Sequence, residues 1–62
     1  MITYNVIAQY NNGMDARHYY KYDVAKRIYD SWKASGEYYH VLFTVTGKNV
    51  MDVDIIAEYR EG

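Results

Sequence analysis

Two segments of this chain alternate apolar and polar residues and contain no Asp, Glu, Lys or Arg, which constrains the fold more than any other feature. In residues 2–10, one side carries Ile2, Tyr4, Val6, Ala8 and Tyr10. In residues 38–46, one side carries Tyr39, Val41, Phe43 and Val45. This period of two predicts strands with one buried face. Because natural sheets place charge on edge strands, these two uncharged strands are expected at the centre of a sheet.

Residues 17–22 and 50–59 read as two further strands, and both carry charge. Arg17 and Lys21 lie in the first of them, and Asp52, Asp54 and Glu58 lie in the second. We therefore place them at the two edges. The expected fold is α+β: a single-layer antiparallel four-stranded sheet, ββαββ, with strand order 2-1-3-4 and one helix packed on one face.

The helix is predicted over residues 24–35, between the second and third strands. Asp23 is the expected N-cap and Gly36 the expected C-terminal stop. Val24, Ile28 and Trp32 recur at i, i+4 and i+8, with two more apolar residues alongside, and form one apolar stripe. This stripe is expected to cover the inward side chains of the sheet.

The sequence leaves the inward set of the second strand open. A two-residue loop at Asn12-Gly13 would turn Arg17, Tyr19 and Lys21 inward, and a five-residue loop would instead turn in His18, Tyr20 and Tyr22. The longer loop is favoured here because it keeps Lys and Arg out of the core.

For the closing hairpin, a three-residue loop at Gly47-Lys48-Asn49 is favoured, with Asn49 in the left-handed conformation that such loops need. That register pairs Val45 with Met51, Phe43 with Val53 and Val41 with Ile55. It turns Val53, Ile55 and Ala57 inward.

Composition limits the classes of function. The 62 residues form one domain, 1–62, with no cysteine and a net charge of −1, so disulfides and thiolate metal sites are excluded and a basic nucleic-acid footprint is missing. No apolar run reaches 18 residues and the start lacks a signal-peptide pattern, so the expected location is the cytoplasm, without membrane contact. Nine tyrosines suit both strands and protein-binding surfaces.

The sheet face away from the helix is the expected binding surface. Ile7, Leu42 and Ile56 are predicted to point there, one from each of three neighbouring strands, with Tyr19 and Tyr38 extending the row. Such a row on an uncovered sheet suggests a contact surface for a protein partner or for a second copy of the chain as a homodimer. The alternative is single-stranded nucleic-acid binding through Arg17, Tyr19, Lys21 and Lys26.

No catalytic, cofactor or metal site is predicted. The two histidines have no serine or threonine placed as a nucleophile beside them, and no Gly-rich phosphate loop is present. The acidic residues Asp52, Asp54 and Glu58 are interpreted as a solvated edge that blocks pairing with other chains, rather than as ligands for Mg²⁺.

In its short first strand, the Ala25-Lys26-Arg27-Ile28 start of a single helix and its closing hairpin, the chain resembles small phage-encoded ββαββ proteins that inhibit bacterial defence enzymes, such as certain anti-CRISPR proteins. The resemblance implies a protein that acts without a cofactor, by stoichiometric occlusion of its target. The sequence therefore predicts a non-enzymatic protein-binding module, with a phage or mobile-element inhibitor as the more specific hypothesis.

Overall fold

The computed structural model describes residues 2–47 and 53–61. Its elements follow the order ββαββ: β1 (Thr3–Tyr10), β2 (Gly13–Tyr19), α1 (Tyr22–Ser35), β3 (His40–Thr46) and β4 (Val53–Arg60). The strands form one antiparallel sheet in the order β2-β1-β3-β4. The predicted fold class and strand order are therefore confirmed, with the two uncharged strands in the centre.

The core lies between α1 and one face of the sheet. Val6 and Ala8 from β1 and Val41 and Phe43 from β3 are fully buried, and all four have the parity that the alternation predicted. The helix contributes Ala25 and Tyr29 to the same cluster, with Ile28 and Trp32 packed against it. The Tyr29 ring stacks on Phe43 with their centroids 5.6 Å apart. Val24, at the margin of the apolar stripe of the helix, is by contrast exposed.

The helix begins two residues before the predicted start. Its N-cap is Lys21, in an extended conformation and without a side-chain capping bond, so the prediction of Asp23 as N-cap is wrong. Asp23 lies instead in the first turn, where a carboxylate interacts favourably with the helix dipole. The helix starts early because Tyr22 packs its ring on Tyr4 and Phe43, with centroids 5.6 and 5.5 Å away. Gly36 ends the helix at φ 77°, as predicted.

The first hairpin has a shorter loop than the one favoured from the sequence. Tyr10 pairs with Gly13, so the loop is the two residues Asn11 and Asn12. This register turns Arg17 and Tyr19 toward the helix side, opposite Val6 and Tyr4, and it turns His18 to the other face. The expectation that Arg stays out of the core led to the wrong register, because a residue of an edge strand can face the helix side and still reach solvent. Arg17 stays exposed while its guanidinium lies 5.8 Å from the centre of the Trp32 ring.

The second hairpin carries a β-bulge that the sequence analysis did not predict. Val41 pairs with Tyr59 and Phe43 with Ala57, but Thr44 pairs with Ile55, so Ile56 is an extra residue in β4. The register predicted from a three-residue loop is therefore wrong. Beyond the bulge the parity of β4 inverts, and Ile55 and Val53 leave the helix side. The predicted conformation of Asn49 and the predicted pairing of Met51 lie outside the described residues.

Candidate functional site

The face of the sheet opposite α1 is called the open face below. Its residues follow from the strand registers, since directly paired residues share a face. They are Thr3, Asn5, Ile7 and Gln9 of β1, Met14, Ala16 and His18 of β2, His40, Leu42, Thr44 and Thr46 of β3, and Val53, Ile55, Glu58 and Arg60 of β4.

Apolar side chains cross the open face as a diagonal stripe, defined as Met14, Ala16, Ile7, Leu42, Ile55 and Val53. At its centre Ile7 has Leu42 as its partner on β3 and Ala16 as its partner on β2. Met14 lies at one corner of the sheet, and Ile55 and Val53 lie at the opposite corner. The solvent-exposed fractions of these corner residues are 59% for Met14, 63% for Ile55 and 54% for Val53. The stripe is thus half-buried at its centre and open to solvent at both ends.

A polar network borders one side of the stripe. The Asn5 Nδ2 donates to Thr44 Oγ1 at 3.2 Å and to Thr46 Oγ1 at 3.0 Å, and Asn5 Oδ1 lies 2.7 Å from His18 Nδ1. Asn5 is only 9% exposed and Thr44 only 4%, so these bonds replace the water that the two side chains lose.

A second polar network borders the other side of the stripe. The His40 Nε2 lies 2.7 Å from a carboxylate oxygen of Glu58, and its Nδ1 lies 3.3 Å from Gln9 Oε1. Arg60 Nε also donates to that oxygen of Glu58 at 3.2 Å, and the Nη2 of Arg60 lies 3.1 Å from it in an ion pair. The bond from His40, and then the charge of Arg60, hold the pKa of Glu58 below its ordinary value. Both networks fix the rotamers of polar groups beside the stripe, without covering it.

Of the five residues predicted to bind a partner, Ile7 and Leu42 lie on the open face. Tyr19 does not: it pairs with Tyr4 and packs against the core from the helix side. The placement of Tyr38 is also wrong, because it is buried in the core with its ring 5.4 Å from Trp32. Ile56 is 38% exposed, but the bulge removes it from the paired positions of β4.

The buried position of Tyr38 explains one contact of β2. Its hydroxyl donates to Asp15 Oδ2 at 2.8 Å, and this bond raises the pKa of Tyr38 above its ordinary value. Asp15 therefore lies on the helix side of β2, and it supplies the partner that a buried tyrosine hydroxyl requires.

The four residues of the nucleic-acid alternative do not gather on the open face. Arg17 and Tyr19 lie on the helix side of β2, and Lys21 is the N-cap of α1. Lys26 is on the helix and pairs with Asp30 at 2.8 Å, a contact that raises the pKa of Lys26. Among the strand residues that the structure describes, the open face accordingly has no tyrosine, phenylalanine or tryptophan on which bases could stack.

Within residues 2–47 and 53–61, no three His, Asp or Glu side chains come together in a way that could hold a metal ion. The bulge separates two of the acids considered above, since Asp54 shares a face with Val45 and Glu58 is on the open face. Asp52 lies outside the described residues. Over the same ranges, no helix has the length and apolar character needed to cross a membrane.

Sequence reasoning missed Met14, Ile55 and Val53 as residues of the open face. Met14 could have been found, because its placement follows once the first hairpin is closed by a two-residue loop. The placement of Ile55 and Val53 could not have been predicted, because it depends on the bulge and the local sequence pattern of β4 does not indicate one.

Comparison with known proteins finds no matching family model, no matching curated protein and no matching solved structure.

Proposed function

We propose that this chain is a non-enzymatic protein-binding domain and that the open face is its binding surface. One observation carries the proposal. Among the described residues, the three most exposed large non-aromatic hydrophobic residues are Met14, Val53 and Ile55, and all three lie on this face. Single exposed apolar residues need no explanation, but their gathering on one uncovered face is typical of a contact surface.

The size of the face limits what it can bury. Four strands spaced about 4.8 Å apart, each seven or eight residues long, make a face of roughly 500 Å², of which the apolar stripe is only a part. A stable complex buries roughly 800 Å² on each partner, so the rims of the strands or nearby loops would also contribute to a tight complex.

The chemistry of the face also suits a protein partner. Interfaces combine an apolar centre with a polar rim whose hydrogen bonds give specificity. Here the diagonal stripe supplies the apolar part, and the networks around Asn5 and His40 supply the rim. Because both networks are already ordered in the free chain, binding would cost little side-chain entropy at these positions.

The mode of action that fits such a surface is occlusion of a partner in a fixed stoichiometry, without a cofactor. The inhibitors that the chain resembles imply the same mode. The more specific form of this proposal is a phage or mobile-element inhibitor that acts in the cytoplasm. A second copy of the chain bound through the open face is the self-associating form.

The test compares an open-face variant with a matched control. The Leu42→Asp/Ile55→Asp double variant places two charges on the stripe, and Val24→Asp places one on an exposed position of the helix. Each immobilised protein, checked for folding by circular dichroism, is exposed to lysate of the organism that encodes the chain. We expect the wild type and Val24→Asp to retain the same protein in a fixed molar ratio, and the double variant to lose it.

Equal retention by the folded double variant would refute the assignment of the open face. Retention of oligonucleotides in place of protein, strongest at low salt, would favour the nucleic-acid alternative instead. Light scattering identifies the self-associating form, because a dimer that uses the open face dissociates in Leu42→Asp.

A further inference from the structure

The outer edge of β2 is a second surface of this chain, separate from the open face. We propose that β2 pairs in antiparallel fashion with β2 of a second copy. A two-fold axis at Ala16 relates the two copies, so that two four-stranded sheets join into one continuous sheet. The backbone direction, the charges and the sizes of residues along β2 all favour this same chain as the partner.

The register of the first hairpin determines which backbone groups point outward. Tyr10 and Gly13 close a two-residue loop, which makes them a hydrogen-bonded pair. Since hydrogen-bonded and non-hydrogen-bonded pairs alternate, Asp15 and Arg17 also direct their N–H and C=O groups toward β1. Met14, Ala16 and His18 direct theirs to the free edge.

Two hydrogen bonds agree with this alternation. Gln9 is next to Tyr10 in β1, so its backbone groups should point toward β3 and away from β2. Its carbonyl does accept a bond at 3.0 Å from the backbone N–H of Tyr39, on the β3 side. The carbonyl of Ala16 accepts a bond at 3.0 Å from Nη1 of the Arg17 side chain. Because this carbonyl bonds to an exposed side chain, no strand of the described chain pairs with β2 at Ala16.

The charges of β2 select one register of self-pairing. With the two-fold axis at Ala16, Asp15 of each copy lies opposite Arg17 of the other, so two opposite-charge pairs form on the helix side. An axis one residue earlier would place Asp15 against Asp15, and an axis one residue later would place Arg17 against Arg17. Like charges directly opposite each other destabilise a strand pair, so both neighbouring registers are disfavoured.

The remaining side chains fit the same register. Ala16 meets Ala16 at the axis, Met14 meets His18 on the open face, and Tyr19 meets Gly13 on the helix side. Gly13 has no side chain, but the ring of Tyr10 already lies over it, with the Tyr10 hydroxyl 3.1 Å from where a Cβ would stand, so Tyr19 would contact Tyr10 there. All three outward-facing residues of β2 would take part in hydrogen-bonded pairs, and such pairs exchange two hydrogen bonds each.

The other edge of the sheet is less suited to pairing with a second copy. β4 carries the bulge at Ile56, and bulges twist an edge away from regular pairing. It also carries Asp54, Glu58 and Arg60 without a self-complementary order. β2 has neither a bulge nor a proline along its seven residues.

Pairing through β2 would extend the diagonal stripe across the axis. The row Leu42, Ile7, Ala16 of one copy would continue into Ala16, Ile7, Leu42 of the other. Because one strand pair buries less than the roughly 800 Å² per partner of a standard interface, the dimer is expected to be weak and to form as concentration rises.

The test is a charge exchange measured by sedimentation velocity from about 1 µM to about 1 mM protein. Asp15→Lys sets the new lysine of each copy against Arg17 of the other, and Arg17→Asp sets the new aspartate against Asp15. Each variant alone should therefore associate at least about tenfold more weakly than the wild type. In an equimolar mixture both cross-strand pairs become attractive, and the dimer should return. Circular dichroism checks that each variant is folded.

A further variant tests the backbone directly. The N–H of Ala16 points away from β1, so Ala16→Pro removes both hydrogen bonds of the Ala16 pair at the dimer axis and none of the monomer's own sheet. We expect Ala16→Pro to stay monomeric, and Leu42→Asp, which changes only the open face, to dimerise as the wild type does. A wild type that is monomeric throughout, a dimer that survives Ala16→Pro, or a charge-exchanged mixture that stays monomeric would each overturn the proposal. Loss of the dimer in Leu42→Asp would assign it to the open face instead.

Discussion

Replacing Phe43 with leucine tests the central claim about which side of the sheet faces the helix. Phe43 is fully buried, and its ring centroid lies 5.5 Å from that of Tyr22, 5.6 Å from that of Tyr29 and 6.4 Å from that of Tyr4. Leucine keeps most of the apolar volume, so the loss comes mainly from these ring contacts. Each aromatic pair stabilises by about 0.5–1.5 kcal/mol beyond its buried area.

The three pairs share one ring, so their sum is an upper bound, and we expect Phe43→Leu to lower the free energy of unfolding by about 2 kcal/mol. A domain of this size has a free energy of unfolding of roughly 3–9 kcal/mol, so the variant should remain folded. Urea unfolding followed by the fluorescence of Trp32 measures the change. With a slope of about 1 kcal/mol per molar urea, the midpoint should fall by about 2 M.

The matched control is Ile55→Ala. Without the bulge, Ile55 would share the helix side with Phe43, whereas the structure places it on the open face, 63% exposed. Its truncation should therefore cost less than about 0.5 kcal/mol. Equal losses in the two variants would contradict both the bulge and the assignment of faces that depends on it.

Two further predictions concern the polar networks. Asn5→Ala removes the partner of the buried Thr44 hydroxyl and should cost about 1–3 kcal/mol, seen as a fall of about 5–15 °C in Tm; a change below about 2 °C would contradict the network. Folding lowers the pKa of Glu58 from its ordinary value of 4.5. The ionised carboxylate therefore stabilises the fold at pH values above 4.5, and this stabilisation is lost as the pH falls through the lower pKa of the folded state. Urea unfolding of Glu58→Gln and wild type from about pH 7 to about pH 3 should show their difference in stability shrinking with acid, and a constant difference would exclude this role.

The candidate site was only partly predictable. The open-face positions of Ile7 and Leu42 were predictable because β1 and β3 alternate cleanly and are uninterrupted, so parity alone gives their face. Tyr19 was assigned wrongly because an edge strand tolerates an inward-facing arginine, which made charge a misleading guide to the register of β2. Tyr38 was assigned wrongly because it precedes β3, where strand parity no longer applies.

Side-chain alternation and charge were enough to predict the order of elements, the central place of the two uncharged strands, and the face that Val6 and Phe43 bury, because both are local properties of each strand. The loop of the first hairpin, the bulge at Ile56 and therefore the exposure of Ile55 came from the folded arrangement alone. Those features depend on how neighbouring strands align beneath one helix. A shift of a single residue inverts a strand's faces without changing its own sequence pattern.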